Sequence, residues 1–353
     1  MTLDEAIRRI KPPDESAMMH AKARLDGIAK PLNSLGRLEG LIIKAAGIYR
    51  TDGVDFGKKC VVVMCADNGV VMEGVTQVSS EITTTVAQNM VSGMATISIM
   101  SQKQNADLYV VDIGINREIS YDRGMINHKV RLGTENFSIM PAMTRDEAMQ
   151  AIETGIRFAS GLAQKGYKLI ATGEMGIGNT TTSSAITAAF LDKEAAEVTG
   201  RGAGLSSEGL KKKINVIDDA LRFHKPDKED ALDVLSKVGG LDIAGLCGVF
   251  IGCAASGTAA VVDGFVSSVA ALCAVRLCPM VKEYMFASHI SKEPAGRMLI
   301  QELDLPHYLD CEMCLGEGTG AVLSFPIFDL ASEVYQKMRS FHEAKILQYV
   351  PLQ

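Results

Sequence analysis

Leu169-Ile-Ala-Thr-Gly-Glu-Met-Gly-Ile-Gly-Asn-Thr-Thr-Thr-Ser-Ser-Ala-Ile-Thr-Ala-Ala-Phe190 decides the fold class. A short apolar run ends in glycines and passes into small residues that suit a helix, the pattern of a strand–loop–helix unit. The same pattern recurs in CVVVMCADNG (60–69), LYVVDIGIN (108–116), AVVDGF (260–265), EYMFASHIS (283–291) and EMCLGEGTG (312–320). Continuous apolar strands alternating with helices mean a parallel sheet covered on both faces. Six such units predict an α/β protein: a Rossmann-like, doubly wound, mainly parallel six-stranded sheet. Ligands of that architecture bind beyond the carboxyl ends of the strands, where Asp67, Asp112, Glu174, Asp263, Ser288 and Glu317 are expected.

Outside this region the chain reads as helices. Leu3–Ile10 stops at Pro12-Pro13. Asp14 is placed to cap a helix running to about Ala29, and Ser34 to cap Leu35–Tyr49. A last amphipathic helix is expected from about Leu330, with Val334, Met338 and Phe341 on one face. The expected division is a catalytic α/β domain over 51–329 and a smaller helical domain from 1–50 plus 330–353. Ile243 to Val262 carries no charge, but its glycines and alanines predict a closely packed helix followed by a strand rather than a membrane span.

The 353 residues are ample for a large core. Lys plus Arg is 36 and Asp plus Glu is 42, a formal net charge of −6, which argues against a nucleic-acid or anionic-membrane binder. Apolar residues are 47% and charged residues 22%, so the chain is not disordered. The opening MTLDEAIRRIKPPDE has no apolar core, so no signal peptide is expected and the location read from it is cytoplasmic. Eight cysteines sit mostly in apolar runs and read as free thiols. Cys311 and Cys314 have CxxC spacing, but nothing else completes a four-ligand zinc site, so no metal is expected.

Four stretches carry chemistry. In GEMGIGNTTT (173–182), glycines open a helix, and the free N–H groups there suit a phosphate. Gly173, Gly178 and Thr180 match P-loop spacing, but Asn179 stands where the lysine must be. Gly176-Ile-Gly178 likewise lacks the third glycine of a dinucleotide fingerprint. The plain alternative is a tight strand–helix turn. In GRGAGLSSEGLKKK (200–213), glycines allow close backbone approach to a ligand. Ser206 or Ser207 is placed to cap the lysine-bearing helix, whose plain reading is a solvated face. In LGEGTG (315–320), Glu317 sits among glycines, and a glutamate held in a cleft can act as a base near neutral pH. With Glu174 it forms a candidate pair for stabilising a cationic transition state and taking a proton. Between 66 and 88 a long loop supplies Ser79, Ser80 and Gln88, neutral hydrogen-bonding groups suited to an aromatic base, or else to capping a helix near 81–93. His289 reads as structural.

KPLNSLGRLE (30–39), ADNGV (66–70), GVTQVSSEITTTVAQN (74–89), GEMGIGNTTTSSA (173–185), GRGAG (200–204), SHISKEPAG (288–296) and LGEGTGA (315–321) together resemble the nicotinate-nucleotide:dimethylbenzimidazole phosphoribosyltransferases. The resemblance implies transfer of phosphoribose from nicotinate mononucleotide to a benzimidazole, giving an α-ribazole 5′-phosphate and nicotinate, on the way to cobalamin. It implies a homodimer, with no metal or other cofactor. It makes Glu317 the general base and Glu174 the second acid, facing the ribose. Ser80, Gln88 and Leu315 match the base pocket. Gly176, Gly178, Gly202, Gly204 and Lys213 match the phosphate region, and Ser291 the neighbourhood of the departing nicotinate. Asn179, Thr180 and Gly316 complete the expected substrate-binding set.

Three other functions compete. A pyrophosphate-using phosphoribosyltransferase would need an acidic pair before its Thr-rich loop, which Asn179-Thr-Thr-Thr182 lacks. A nucleotide sensor would be poorly served by two glutamates in an anion site. A nicotinamide-dependent dehydrogenase fails on the fingerprint.

Overall fold

The computed structural model describes residues 1–122 and 124–348. Six strands form one parallel sheet: β1 (Lys58–Ala66), β2 (Asp107–Gly114), β3 (Ile126–Asn127), β4 (Tyr167–Met175), β5 (Ala259–Val262) and β6 (Met285–Ala287). Their order is β3-β2-β1-β4-β5-β6. That is the order of a dinucleotide-binding Rossmann sheet, and it reverses direction between β1 and β4, where the crevice for a ligand opens. Register places Met64 of β1 beside Glu174 of β4, so the β4 carboxylate stands at this switch point.

Five of the six strand expectations hold, within a few residues at each end. The run 312–320 is not a strand. Glu312, Gly316, Glu317 and Gly318 all have positive φ, which no strand tolerates, and Cys311, Cys314 and Leu315 are exposed rather than buried. The sixth strand is instead the two-residue β3 at the opposite edge. Glu317 therefore stands not at a strand end but before a helix.

That helix, Thr319–Lys337, begins eleven residues ahead of the expected Leu330, because Gly318 at φ +90° caps it directly after the glycine loop. It runs unbroken across position 329. It ends at Lys337, so Met338 and Phe341 do not continue its face; Ser340 caps a separate short helix, Phe341–Ala344. Residues 349–353 of the expected helical unit lie outside the described residues.

At the other end, Leu3–Arg9 and Glu15–Gly27 form as expected, with Asp14 Oδ1 accepting from Ala17 N–H at 2.9 Å. The third helix spans Arg37–Tyr49 and is capped by Gly36 rather than Ser34. Ser34 lies instead within a turn, its N–H donating to the Pro31 carbonyl at 3.2 Å and the Gly36 N–H to the Asn33 carbonyl at 3.0 Å, while Glu39 Oε1 accepts from the Leu35 N–H at 3.1 Å and from Lys30 Nζ at 2.8 Å.

The charge-free stretch forms all but the first two residues of the helix Leu241–Ala255, buried between the sheet and the helix Arg145–Gln164, and then β5. Its glycines let backbones touch. A Cβ on Gly248 would overlap the Ile152 carbonyl, and one on Gly245 would press on Ile113. Among the described residues no helix is long and apolar enough to cross a membrane.

Candidate active site

A cleft of about 230 Å³ opens at the carboxyl ends of β4 and β5. The β4–helix loop, the 200–205 loop, Lys213, the turns after β5 and β6, and residues 314–317 enclose it.

One end suits an anion. Gly176 must be glycine, since a Cβ would overlap the Ala66 carbonyl oxygen. Gly178, at φ +95°, starts the helix Asn179–Leu191, and no side chain caps it. In the first turn the Asn179 N–H donates to the Gly176 carbonyl at 3.1 Å and the Thr181 N–H to the Gly178 carbonyl at 2.9 Å, so what the helix start turns to a ligand is chiefly its positive dipole end. Lys213 comes from the helix Ser207–His224, which Ser206 caps through the Gly209 N–H at 3.0 Å. It is not on the solvated face: the side chain is buried, and Nζ donates to Thr180 Oγ1 at 2.9 Å and to the Gly200 carbonyl at 3.2 Å. Burial pushes the ammonium down to about 8, with the Glu293 carboxylate opposing.

The other end is acidic. Glu174, at the end of β4, is buried, and burial together with the neighbouring Asp242 carboxylate pushes it up to about 8. The Asn179 side-chain amide donates to Glu174 Oε2 and, at 3.0 Å, to Asp242 Oδ2. This explains why the P-loop lysine position holds an amide: it must bond two acids. Asp242 begins the apolar helix Leu241–Ala255, and burial pushes it up to about 6, against the Asn179 bond. Asp263, just past β5, accepts from the N–H groups of Gly318 at 3.1 Å and Ala321 at 2.9 Å. These bonds fix the loop that carries Glu317. Glu317 is half-buried at φ +63°, and its Oε2 is buried with no hydrogen-bond partner. Burial and then repulsion from Asp263 raise it above the ordinary carboxylate range. A carboxylate so placed is poised to accept a proton.

The chain matches the model of a phosphoribosyltransferase family over residues 10–346. It is 45% identical, over the full length of both chains, to the nicotinate-nucleotide–dimethylbenzimidazole phosphoribosyltransferase of Ruminiclostridium cellulolyticum. It is 46% identical to that of Acetivibrio thermocellus over 99% of each. The chain belongs to the nicotinate-nucleotide–dimethylbenzimidazole phosphoribosyltransferase family. A solved structure of this family from Thermus thermophilus superposes with a TM-score of 0.89 at 35% identity, covering 95% of this chain and 100% of that one. The family and the α/β fold read from the sequence are both borne out.

Of the residues that the resemblance to this phosphoribosyltransferase family assigned, Glu174, Gly176, Gly178, Asn179, Thr180, Gly202, Lys213, Ser291, Leu315, Gly316 and Glu317 line this cleft. Three do not. Gly204 lies one step behind it, its carbonyl accepting from the side-chain amide of Gln77, which does line it. Ser80 starts the helix Glu81–Val91 without a side-chain cap bond, and Gln88 on that helix is exposed; neither reaches the lining. Sequence reasoning missed Asp242 and Glu293 altogether, and gave Asp263 only a strand end. Asp242 did carry a signal: it is the one charge in an otherwise apolar helix. His289 is buried, with Nδ1 2.9 Å from Ser288 Oγ, and packs against Gly264 and Gly320. Cys311 and Cys314 are free and exposed.

Proposed function

We infer that this chain transfers phosphoribose from nicotinate mononucleotide to 5,6-dimethylbenzimidazole or a related base, yielding α-ribazole 5′-phosphate and nicotinate for cobalamin synthesis. The observation that carries this reading is the polarity of the cleft. An amide- and lysine-lined end suits a phosphate, and a carboxylate end suits a sugar that becomes cationic.

The chemistry follows from that arrangement. The pyridinium nitrogen of nicotinate mononucleotide takes the bonding electron pair as it leaves, so the leaving group needs no proton. Positive charge then develops on the ribose, and the carboxylates of Asp263 and Glu317, which line that end, stabilise it. Gly176, Gly178, Thr180, Gly202 and Lys213 hold the phosphate, and Asn179 serves the substrate through Glu174, to which its side-chain amide donates. Glu174, kept largely neutral by burial, faces the ribose as a hydrogen-bond donor. The benzimidazole nitrogen attacks opposite the departing ring, which converts the β-linkage to α, and Glu317 takes the N–H proton. Leu315 and Gly316 bound the base, and Ser291 lies by the nicotinate. Ser80 and Gln88 reach the base only if the helix Glu81–Val91 moves inward on binding.

We also propose a homodimer located in the cytoplasm, with 1–50 and 330–353 as a small helical unit beside a 51–329 catalytic unit. Leu323, Leu330 and Val334 support the dimer: they share one face of Thr319–Lys337 and remain partly or largely exposed. Analytical ultracentrifugation reads this directly, and a monomer at micromolar concentration refutes it.

The reaction is tested by incubating the protein with nicotinate mononucleotide and dimethylbenzimidazole, followed by chromatography and mass analysis. Nicotinate release with a new ribazole phosphate is the expected result. Nucleotide binding without product from any of a panel of benzimidazole, purine and phenolic bases overturns it.

A further inference from the structure

Glu293 lines the cleft, yet the reaction as derived gives it no task. It leaves the turn after β6, where its N–H donates to Ser291 Oγ at 3.3 Å and its carbonyl accepts from Gly296 at 2.8 Å. Its carboxylate meets the glycine loop 200–204. The Gly202 N–H donates to it, and a Cβ on Gly200 would overlap Oε2. Oε2 is buried and has no hydrogen-bond partner. Facing it is Lys213, whose own two hydrogen bonds go to uncharged oxygens.

The other charges around the lysine's helix are engaged elsewhere. Lys211, Lys212 and Glu208 lie on the same helix, away from its buried face. Glu197 pairs with Lys193 at 3.4 Å, Asp192 with Lys228 at 3.4 Å, and Asp233 with Lys237 at 2.8 Å. Arg201 donates to the Leu205 carbonyl and Ser207 Oγ. Among the described residues, Glu293 is the one charge that offsets the burial of Lys213.

We propose that Glu293 is a positioning residue for the nucleotide phosphate: its carboxylate fixes the 200–204 loop and keeps Lys213 an ammonium ion before the phosphate arrives. This rests on the nucleotide reading above. A carboxylate beside a buried lysine favours the charged form, and losing it lowers the lysine pKa by on the order of one unit. With Lys213 at about 8 in the intact site, the variant and the parent are equally charged at pH 6 and differ by about tenfold in ammonium population at pH 9.

The test is Glu293→Gln, which keeps size and a carbonyl acceptor for the Gly202 N–H. The expected result is a KM for nicotinate mononucleotide within about twofold of the parent at pH 6 and about tenfold higher at pH 9, with kcat nearly unchanged. In a Lys213→Arg background the same substitution should produce no pH-dependent loss, since arginine stays charged. A lower KM, meaning that the carboxylate repels the phosphate, overturns the proposal. So does a kcat loss with KM unmoved, or a KM rise equal at both pH values. Calorimetric titration with nicotinate mononucleotide gives the same comparison without turnover. Affinity that falls more steeply between pH 6 and pH 9 in the variant than in the parent upholds the role of Glu293 even if no base is ribosylated.

Discussion

Asp263 Oδ2 accepts the backbone N–H of Gly318 at 3.1 Å, tying the turn after β5 to a loop 55 residues later in the chain. This bond holds Glu317 at the mouth of the sheet, because Gly318 is its immediate neighbour and caps the helix that follows. The Ala321 N–H adds a second bond, to Oδ1 at 2.9 Å. Asp263→Ala strands two backbone donors in a buried place. Each costs about 1–3 kcal/mol, so unfolding should be easier by roughly 2–6 kcal/mol. Denaturant titration reads this, and turnover should fall further than stability predicts because Glu317 loses its position. Unchanged turnover in a folded variant would show that the loop holds itself.

Glu317→Gln separates binding from proton transfer. The amide keeps the shape of the loop but cannot take the benzimidazole proton. A positioned base is worth about 10²–10⁴ in rate, so kcat should drop by that factor while the calorimetric Kd for nicotinate mononucleotide stays within about threefold. Parent-like kcat in the variant removes Glu317 as the base.

How much of this was legible follows from what each residue leaves in the sequence. β1, β2, β4, β5 and β6 announce themselves because a strand buried on both faces is a continuous apolar run. β3 is two residues, Ile126 and Asn127, and is set only by its pairing with Val111 and Asp112 of β2. The run 312–320 misleads because Met313, Cys314 and Leu315 look like a buried strand, while its backbone has to turn through positive φ around Glu317. Glu174 and Glu317 stand out as acids among glycines. Asp242 hides because its partner, the Asn179 amide, is 63 residues away and the link exists only after folding. Ser80 and Gln88 are the reverse case: their side-chain chemistry suits a base and is visible in the sequence, while the structure places them outside the cleft lining.

Gly248 tests whether the close approach of two helices or helix propensity governs the core. Alanine in a helix interior gains about 1 kcal/mol over glycine. At Gly248, however, a methyl group would overlap the Ile152 carbonyl, a backbone atom that cannot swing aside. Overpacking of this kind costs about 1–3 kcal/mol or more, and here the helix Arg145–Gln164 must move as a body. Because the overlapped atom is backbone, the cost falls at the upper end of that range, and net of the propensity gain Gly248→Ala should lower the unfolding free energy by about 2 kcal/mol, read from the denaturation midpoint. A variant as stable as the parent would mean that the two helices separate easily.

Glu174 makes the pH dependence of stability specific. Burial and Asp242 raise its pKa from 4.5 to about 8, so the fold prefers the neutral acid. A raised folded pKa means that the unfolded state releases the proton first as pH rises. The stabilisation from Glu174 is therefore complete below about pH 4.5 and lost progressively as pH rises through about 8. Glu174→Gln carries no proton to lose, and its amide cannot form a buried charge beside Asp242. The parent should thus lose stability relative to the variant between about pH 5 and about pH 9, and the variant should be the more stable protein at the upper end although it transfers phosphoribose poorly. Unfolding free energies at about pH 5, 7 and 9 decide the matter. Parallel curves for the two proteins would mean that the carboxyl is charged in the folded site at neutral pH, and Glu174 would then face the ribose as an anion rather than as a donor.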